Sequence, residues 1–424
     1  LSQSTSDSPL APARNGVRVA QPSTHLFTGI TLHPAPGVRV EDATLLINDG
    51  RVVVAREGEV DGPPGSRVHE LEGMHIYPAF IDAWVEVDAP TPDDDAAGLH
   101  WNDAVTPQRS VLDGDGISED AKMSHRAMGF GAAAIVPEGG VFAGRAAAVS
   151  LAEKPEDPSA EHEAVYAEDV FHAIDFETGG YTAGYPTSHP GAVALMRQTL
   201  SDADWQADNR NGPPNALTPL ESPVAPLAFD CALELEPFLA ADVAGEFDRA
   251  FILIGSGKEY KWIDGIADAT AAPATLVTPL RFPAKPDVST VGKANAIELE
   301  RMMEWEQAPA GPGRLTRRGV ELAITATLLP EGRSFFAELR KAIEHGLSAS
   351  DALAALTTVP AETLGIADQV GTLEPGKRAS FIVASGPIFD EDTTIHDVWI
   401  DGRRHAINPH PRPGVDGVWT LTLG

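Results

Sequence analysis

The stretch PAFIDAWVEVD, Pro78–Asp88, decides how the chain is read. Phe80, Ile81, Val85 and Val87 form a short apolar run that follows a proline and ends on acid, the pattern of a buried strand. Before it, from His25 to Tyr77, the segments HLFTGITLHP, ATLLIND, GRVVVAREG and RVHELEGMHIYP alternate apolar and polar positions, and the Asp-Gly of NDGRVV predicts a hairpin turn. After it the rhythm changes. GAAAIVPE (131–138), DRAFILIGSG (248–257), ATLVTPLRF (274–282) and VELAITATLL (320–329) each follow a helical stretch. Strand and helix in alternation imply a parallel sheet, open or closed into a barrel.

Two further helices are expected, RSFFAELRKAIEHG and ASDALAALTTVPAETLG, the second read as one helix stopping at Gly365. Strand patterns then return in VGTLEPGKRASFIVASG and TIHDVWIDGRRH, and the chain closes on an alternating GVWTLTLG. β material thus flanks an α/β core at both ends and is expected to pair into one small sandwich. The Pro- and Asn-rich run from Asp202 to Pro226 reads as a long surface excursion. DAPTPDDDAAGLHWND, Asp88–Asp103, reads as a loop leaving the C-terminal end of the first core strand. No fixed-period repeat of the solenoid type occurs.

At 424 residues, 43% of them hydrophobic, the chain can bury a large core and is globular. No run of about 18 apolar residues predicts a membrane helix. Acidic residues outnumber basic ones 62 to 31, a net charge of −31 that repels nucleic acid and anionic lipid. The acids are spread along the chain, as on a solvated surface tuned for solubility or salt. Cys231 is the one cysteine, so no internal disulfide can form. Residue 1 is Leu, and the Ser-, Pro- and Ala-rich residues 1–24 read as a flexible leader left by removal of a signal peptide or longer N-terminus. The expected location is periplasmic or secreted.

LEGMHIYPAFIDAWVEVD and SASDALAALTTVPAETLGIADQVGTLEPGKRASFIVASGPIFDEDTTIHDVWIDGRR resemble the amidohydrolase superfamily in its imidazolonepropionase-like branch. The resemblance runs from about Leu26 to His405. It implies a TIM-like (β/α)8 barrel at 78–360, flanked by a small β-sandwich built from 25–77 and 361–410, with 411–424 a linker into a following β segment. It also implies hydrolysis of C–N bonds by one or two divalent metals held at the C-terminal mouth of the barrel. There a metal would acidify bound water and polarise a carbonyl.

The expected ligands are missing. Where such proteins carry two histidines one residue apart on the first strand, this chain has Trp84 and Glu86. Alternation aims both the same way, but an indole has no lone pair to give. Near the fourth strand the candidates are Phe229, Asp230 and Cys231; the fifth ends in Gly255; the sixth offers Pro279 and Arg281; the eighth presents Thr327. The segments GLHWNDAVTPQRS, GFGAAAIVPEGGVFAGRAAAVSL and FILIGSGKEYKWIDG further resemble the degenerate N-terminal module of bacterial tandem amidohydrolases, in which a second module keeps the ligands.

The remaining candidates are few. His100, His125, His172 and His189 lack paired ligand spacing, and His345 suits a helix end. Ser150, Ser188 and Ser256 show no nucleophile elbow. GSGKEY (255–260) could hold an anion on backbone N–H groups beside Lys258. Glu86, Asp230 and Glu259 are the weak candidates for metal-free acid–base work; Trp84, Lys258, Arg281 and Thr327 are expected at the barrel mouth.

Whether the chain is an enzyme stays open at this point. The favoured expectation is a non-catalytic module, without metal or other cofactor, that scaffolds or regulates an active amidohydrolase partner module in the same polypeptide or complex, and that is oligomeric. The alternatives are a C–N hydrolase with a non-standard carboxylate or zinc site, and a small-molecule binder using the vacated pocket.

Overall fold

The computed structural model describes residues 23–93, 95–153, 165–176, 184–209, 212–270, 274–330 and 332–410. Most of the expected leader and the closing GVWTLTLG strand lie outside them. The chain begins with β1 (Thr24–Leu32), β2 (Val40–Asn48), β3 (Arg51–Glu57), β4 (Arg67–Glu70) and β5 (His75–Pro78). The expected hairpin joins β2 to β3, and both of its turn residues take positive φ, Asp49 at 46° and Gly50 at 73°.

The core opens with β6 (Phe80–Val87), α1 (Glu119–Ala127) and β7 (Phe130–Pro137). Ser118 caps α1, its side chain accepting from the Ala121 N–H, and Glu119 and Asp120 sit in the first turn where the helix dipole favours acid. Three short strands follow, β8 (Phe142–Arg145), β9 (Ala147–Ser150) and β10 (Val165–Ala167). Next come β11 (His172–Asp175), α2 (His189–Asn209), β12 (Leu227–Asp230), α3 (Glu236–Glu246), β13 (Phe251–Ile254), α4 (Ile263–Ala269) and β14 (Ala274–Pro279). Three helices, α5 (Val291–Asn295), α6 (Leu299–Gln307) and α7 (Gly311–Arg317), lead to β15 (Glu321–Thr325). The last elements are α8 (Phe335–Glu344), α9 (Ala349–Leu356), α10 (Thr358–Thr363), β16 (Phe381–Ala384), β17 (Ile395–Ile400) and β18 (Arg403–Ala406).

β6 pairs parallel with β7, and β11 through β15 form a second parallel run with Asp175, Asp230 and Ile254 side by side. Every residue of β7, β13 and β14 is buried, as expected of parallel strands covered on both faces. The fold is α/β and TIM-like. Among the described residues it has seven parallel strands, β6, β7 and β11–β15, where eight were expected. Only helices stand between β14 and β15, which pair directly.

No backbone ladder joins β15 to β6 among the described residues; side chains do. Thr325 Oγ1 donates to the Trp84 carbonyl at 3.0 Å, and Asp82 Oδ2 accepts from the Ala326 N–H at 3.1 Å. The strands of the two chain ends meet in one eight-stranded sheet, ordered β18-β17-β16-β5-β1-β2-β3 with β4 alongside β1. Phe27, Phe381 and Trp399 lie in its core, with Phe381 and Trp399 stacked 5.5 Å apart.

Three readings are corrected. Asp202–Asn209 is not excursion but the end of α2, because Leu200 and Ala203 continue its buried stripe and no proline interrupts before Pro213. ASDALAALTTVPAETLG is two helices, since Thr357 leaves helical geometry (φ −134°, ψ −75°) and Pro360 has no N–H to carry a ladder across the break. The strand expected over 320–329 stops at Thr325, and Leu328 takes φ 60°.

Candidate functional site

A cavity of about 460 Å³ opens at the C-terminal ends of β6, β7, β11 and β12. Trp84, Glu86, Glu138, Asp175 and Asp230 line it. A neighbouring cleft of about 570 Å³ shares Glu86, Asp88 and Glu138. Asp175 and Asp230 end adjacent strands at the same register, so their carboxyls are forced side by side. Burial, then the charges of Asp175 and Glu86, push the Asp230 pKa up to about 7, against the opposing pull of Arg281. Asp230 is thus the group poised to exchange a proton near neutrality.

Linkage gives a test of that arrangement. A carboxyl whose folded pKa lies above its unfolded value contributes stability at low pH and loses it as pH rises through the folded value. Asp230's own contribution to the unfolding free energy is expected to fall as pH rises between about 4 and 7, so the stability of the parent relative to Asp230→Asn should decline over that range. Urea denaturation of both proteins across this range checks it; parallel profiles would mean that Asp230 titrates normally.

Trp84 fills the first ligand position. Its indole lies flat on Phe171, ring centres 5.7 Å apart, and its Nε1 donates to Glu86 Oε1 at 3.2 Å. Its carbonyl accepts from both Thr325 and Thr327 hydroxyls. Thr327 therefore stitches the strand before it to β6. Beneath Trp84, Asp82 is fully buried and its Oδ2 stands 3.3 Å from His125 Nε2 on α1. His125 Nδ1 lies 2.9 Å from the Ala121 carbonyl. The Nδ1 contact is a hydrogen bond, whereas Asp82 faces Nε2 as an ion-pair partner. Burial alone would push its pKa down; Asp82 and the Ala121 carbonyl outweigh burial and leave it raised.

At the end of β13 the space beside Gly255 is taken by Glu259. Its carboxylate turns back into the turn, accepting from the Gly257 N–H at 3.0 Å and the Ser256 hydroxyl at 3.2 Å. A Cβ on Gly255 would lie 2.6 Å from Glu259 Oε1. This corrects two expectations. Glu259 does not join Glu86 and Asp230 in a carboxylate cluster, because the turn's own donors hold it. For the same reason GSGKEY has no anion site to offer: its donors are occupied from within, and Lys258 is exposed.

Arg281 is exposed at the mouth, its Nε donating to the Leu328 carbonyl at 2.6 Å while its charge reaches Asp230. Phe229 and Cys231 are fully buried, so of the three fourth-strand candidates only Asp230 reaches the cavity. Sequence reasoning missed Asp175, Glu138 and the pairs Asp82–His125 and His189–Glu236. The last joins an accessible imidazole at the start of α2 to a buried carboxylate at the start of α3.

The residues at the mouth do not fit the metal centre that the resemblance implies. Its donors are carboxylates without an imidazole, Glu86 already accepts from Trp84, and Glu259 is spent on its own turn. Among the described residues no group of three or more His, Cys, Asp or Glu is arranged to hold a metal ion.

A family model described as the amidohydrolase family matches residues 314–404, from α7 into β18. An amidohydrolase from Thermotoga maritima superposes with a TM-score of 0.69 over 90% of this chain and 99% of its own, at 19% identity. This chain has the amidohydrolase fold. A prolidase complexed with N-methylphosphonate-L-proline superposes at TM-score 0.52 and 15% identity, covering 90% of this chain and 99% of that one. Molinate hydrolase does so at 0.51 and 14%, covering 95% and 100%. No curated protein matches the sequence. The matched segment holds one of the two stretches that carried the resemblance. The amidohydrolase fold also accounts for the placing of the mouth, since barrel sites lie at the C-terminal ends of the strands. No helix among the described residues is long and apolar enough to cross a membrane.

Proposed function

We propose that this chain is a non-catalytic amidohydrolase-fold module that scaffolds or regulates an active amidohydrolase partner module, as the resemblance to tandem proteins suggests. The observation that carries the reading is the interlock of Gly255 with Glu259. A ligand lost by drift leaves a hole, whereas here a buried carboxylate with its own hydrogen bonds stands where the side chain would be. Trp84 on Phe171 and the threonine pair on the Trp84 carbonyl support it in the same way. Domain bounds of 25–77, 78–360 and 361–410, and an exported location, belong to this proposal.

A second reading has one observation behind it. Asp230, with a pKa near 7 beside Asp175 and Glu86, has the character of a general acid or base. A hydrolase built on these carboxylates would act on a C–N bond in the 460 Å³ cavity. Elemental analysis of the chain purified without chelator, with amide and cyclic-amide hydrolysis assays on the same sample, separates the two. The module reading expects substoichiometric metal and no turnover above buffer. One zinc per chain, or turnover abolished by Asp230→Asn, would overturn it.

A further inference from the structure

α6 carries apolar side chains into solvent. At 100° per residue, Glu300, Glu304 and Gln307 share one face and Leu299, Met302 and Met303 the other. Glu304 and Gln307 are half-buried, and Glu300, itself exposed, binds Lys261 Nζ at 2.9 Å. The apolar face points to solvent: Leu299 is 72% exposed, Met302 48% and Met303 49%. No residue of α5 or α6 is buried.

The face continues beyond the helix. Lys261 Nζ also holds Glu234 at 2.7 Å, so one ammonium ties α6 to the loop before α3 and to the turn after β13. Leu233 and Leu235 flank Glu234, Trp262 follows Lys261, and all three are exposed. Trp262 is held edge-on to Phe238, ring centres 6.1 Å apart. Apolar side chains from three elements thus crowd round one ion-pair knot, in a chain whose net charge is −31. Such an apolar surface is a binding face, and Leu299, Met302 and Met303 have the i, i+3, i+4 spacing of helix-in-groove anchors.

We infer that this rim docks a protein partner whose own surface is an apolar groove bordered by lysine and arginine side chains. Charge decides the occupant. Glu298, Glu300, Glu304 and Glu306 border the apolar stripe, with Arg301 the one basic residue of α6 and already paired to Glu304 at 2.9 Å. A second copy would bring the same acids against themselves, and an anionic lipid surface would be repelled; a basic rim is the complement. Because the face is built on the loops after β12 and β13, the partner sits beside the cavity mouth. That the partner is the active module rests on the function proposed above; its chemistry does not.

A photo-crosslinking residue in place of Met302 in the full chain, activated in the cells that make it, tests the inference. The expected product is an adduct with one polypeptide of different sequence, joined at an apolar segment flanked by Lys or Arg. Against that purified polypeptide, Leu299→Glu and Met303→Glu should each weaken binding about 30-fold, the loss of one interface anchor. Melting temperatures should not change, and added salt should weaken the unsubstituted pair. An adduct with a second copy, with lipid, or with nothing overturns the inference, as does unchanged affinity in both variants. A partner without the amidohydrolase fold would leave the docking face standing and remove the proposed module role. An active amidohydrolase module that binds both variants as tightly as the parent would do the reverse.

Discussion

Placing histidine at position 255 is expected to unfold this chain rather than to move it toward metal binding. Even a methyl group there would lie 2.6 Å from Glu259 Oε1 and 2.9 Å from its Cδ. An imidazole must expel the carboxylate altogether. That would strip the Gly257 N–H and the Ser256 hydroxyl of their acceptor and leave a buried charge with no partner. Burial already holds the Glu259 pKa above its usual value despite those bonds. Losses of this kind cost about 1–3 kcal/mol per orphaned group and more for a charge, so Gly255→His should cost on the order of 4 kcal/mol or more. Gly255→Ala, which forces a smaller shift, should cost about 2 kcal/mol. Urea denaturation measures both. Removing the obstacle in the same chain gives the sharper test. Gly255→Ala with Glu259→Ala should cost less than the two single changes added, by about 1–2 kcal/mol of coupling. Strict additivity would mean that the carboxylate swings aside freely.

Asp82→Asn is the second change expected to be large. Asp82 is fully buried and meets three groups at once: the Trp84 N–H of its own strand at 3.2 Å, the Ala326 N–H just past β15 at 3.1 Å and His125 on α1 at 3.3 Å. An amide in its place keeps the shape but removes the negative charge that faces His125 Nε2. Breaking a buried pair from one side costs about 3–5 kcal/mol. The cost should depend on pH in a fixed direction. The folded His125 pKa is raised, so the pair's stabilisation is whole below the unfolded histidine value and is lost as pH rises through the folded one. The gap between parent and Asp82→Asn should be widest at about pH 6 and narrow toward pH 9. A gap that widened with pH would show a neutral His125, with Asp82 acting only as an acceptor of backbone N–H groups.

What the sequence made legible follows from how local each feature is. The run PAFIDAWVEVD is a strand because its apolar spacing leaves no other choice, and Trp84 and Glu86 share a side because strands alternate. Asp230 was reachable by counting along β12. Asp175 was not, because HAID has no feature that sets its carboxylate apart until the register brings it beside Asp230. The Asp82–His125 pair spans 43 positions, and periodicity carries no information at that separation. The Gly255–Glu259 interlock is local, yet it depends on a rotamer: the same GSGKEY could have sent Glu259 outward and left its N–H groups to an anion. The α2 terminus was misread because Asn and Pro nearby outweighed a buried stripe of alanine and leucine.

The seam between β15 and β6 carries one more meaning. Ladders hold β6 to β7 and join β11 through β15, but here two hydroxyls and one carboxylate do the joining. The Thr325 and Thr327 hydroxyls donate to the Trp84 carbonyl, the Asp82 carboxylate accepts from the Ala326 N–H, and Trp84 is also a wall of the cavity. The contact between β15 and β6 and the wall of the pocket therefore share one residue, Trp84. Pressure applied at the mouth is felt first at the joint behind it, and whatever loosens the joint reshapes the mouth. A body of this kind can transmit occupancy as mechanical state without performing any chemistry of its own.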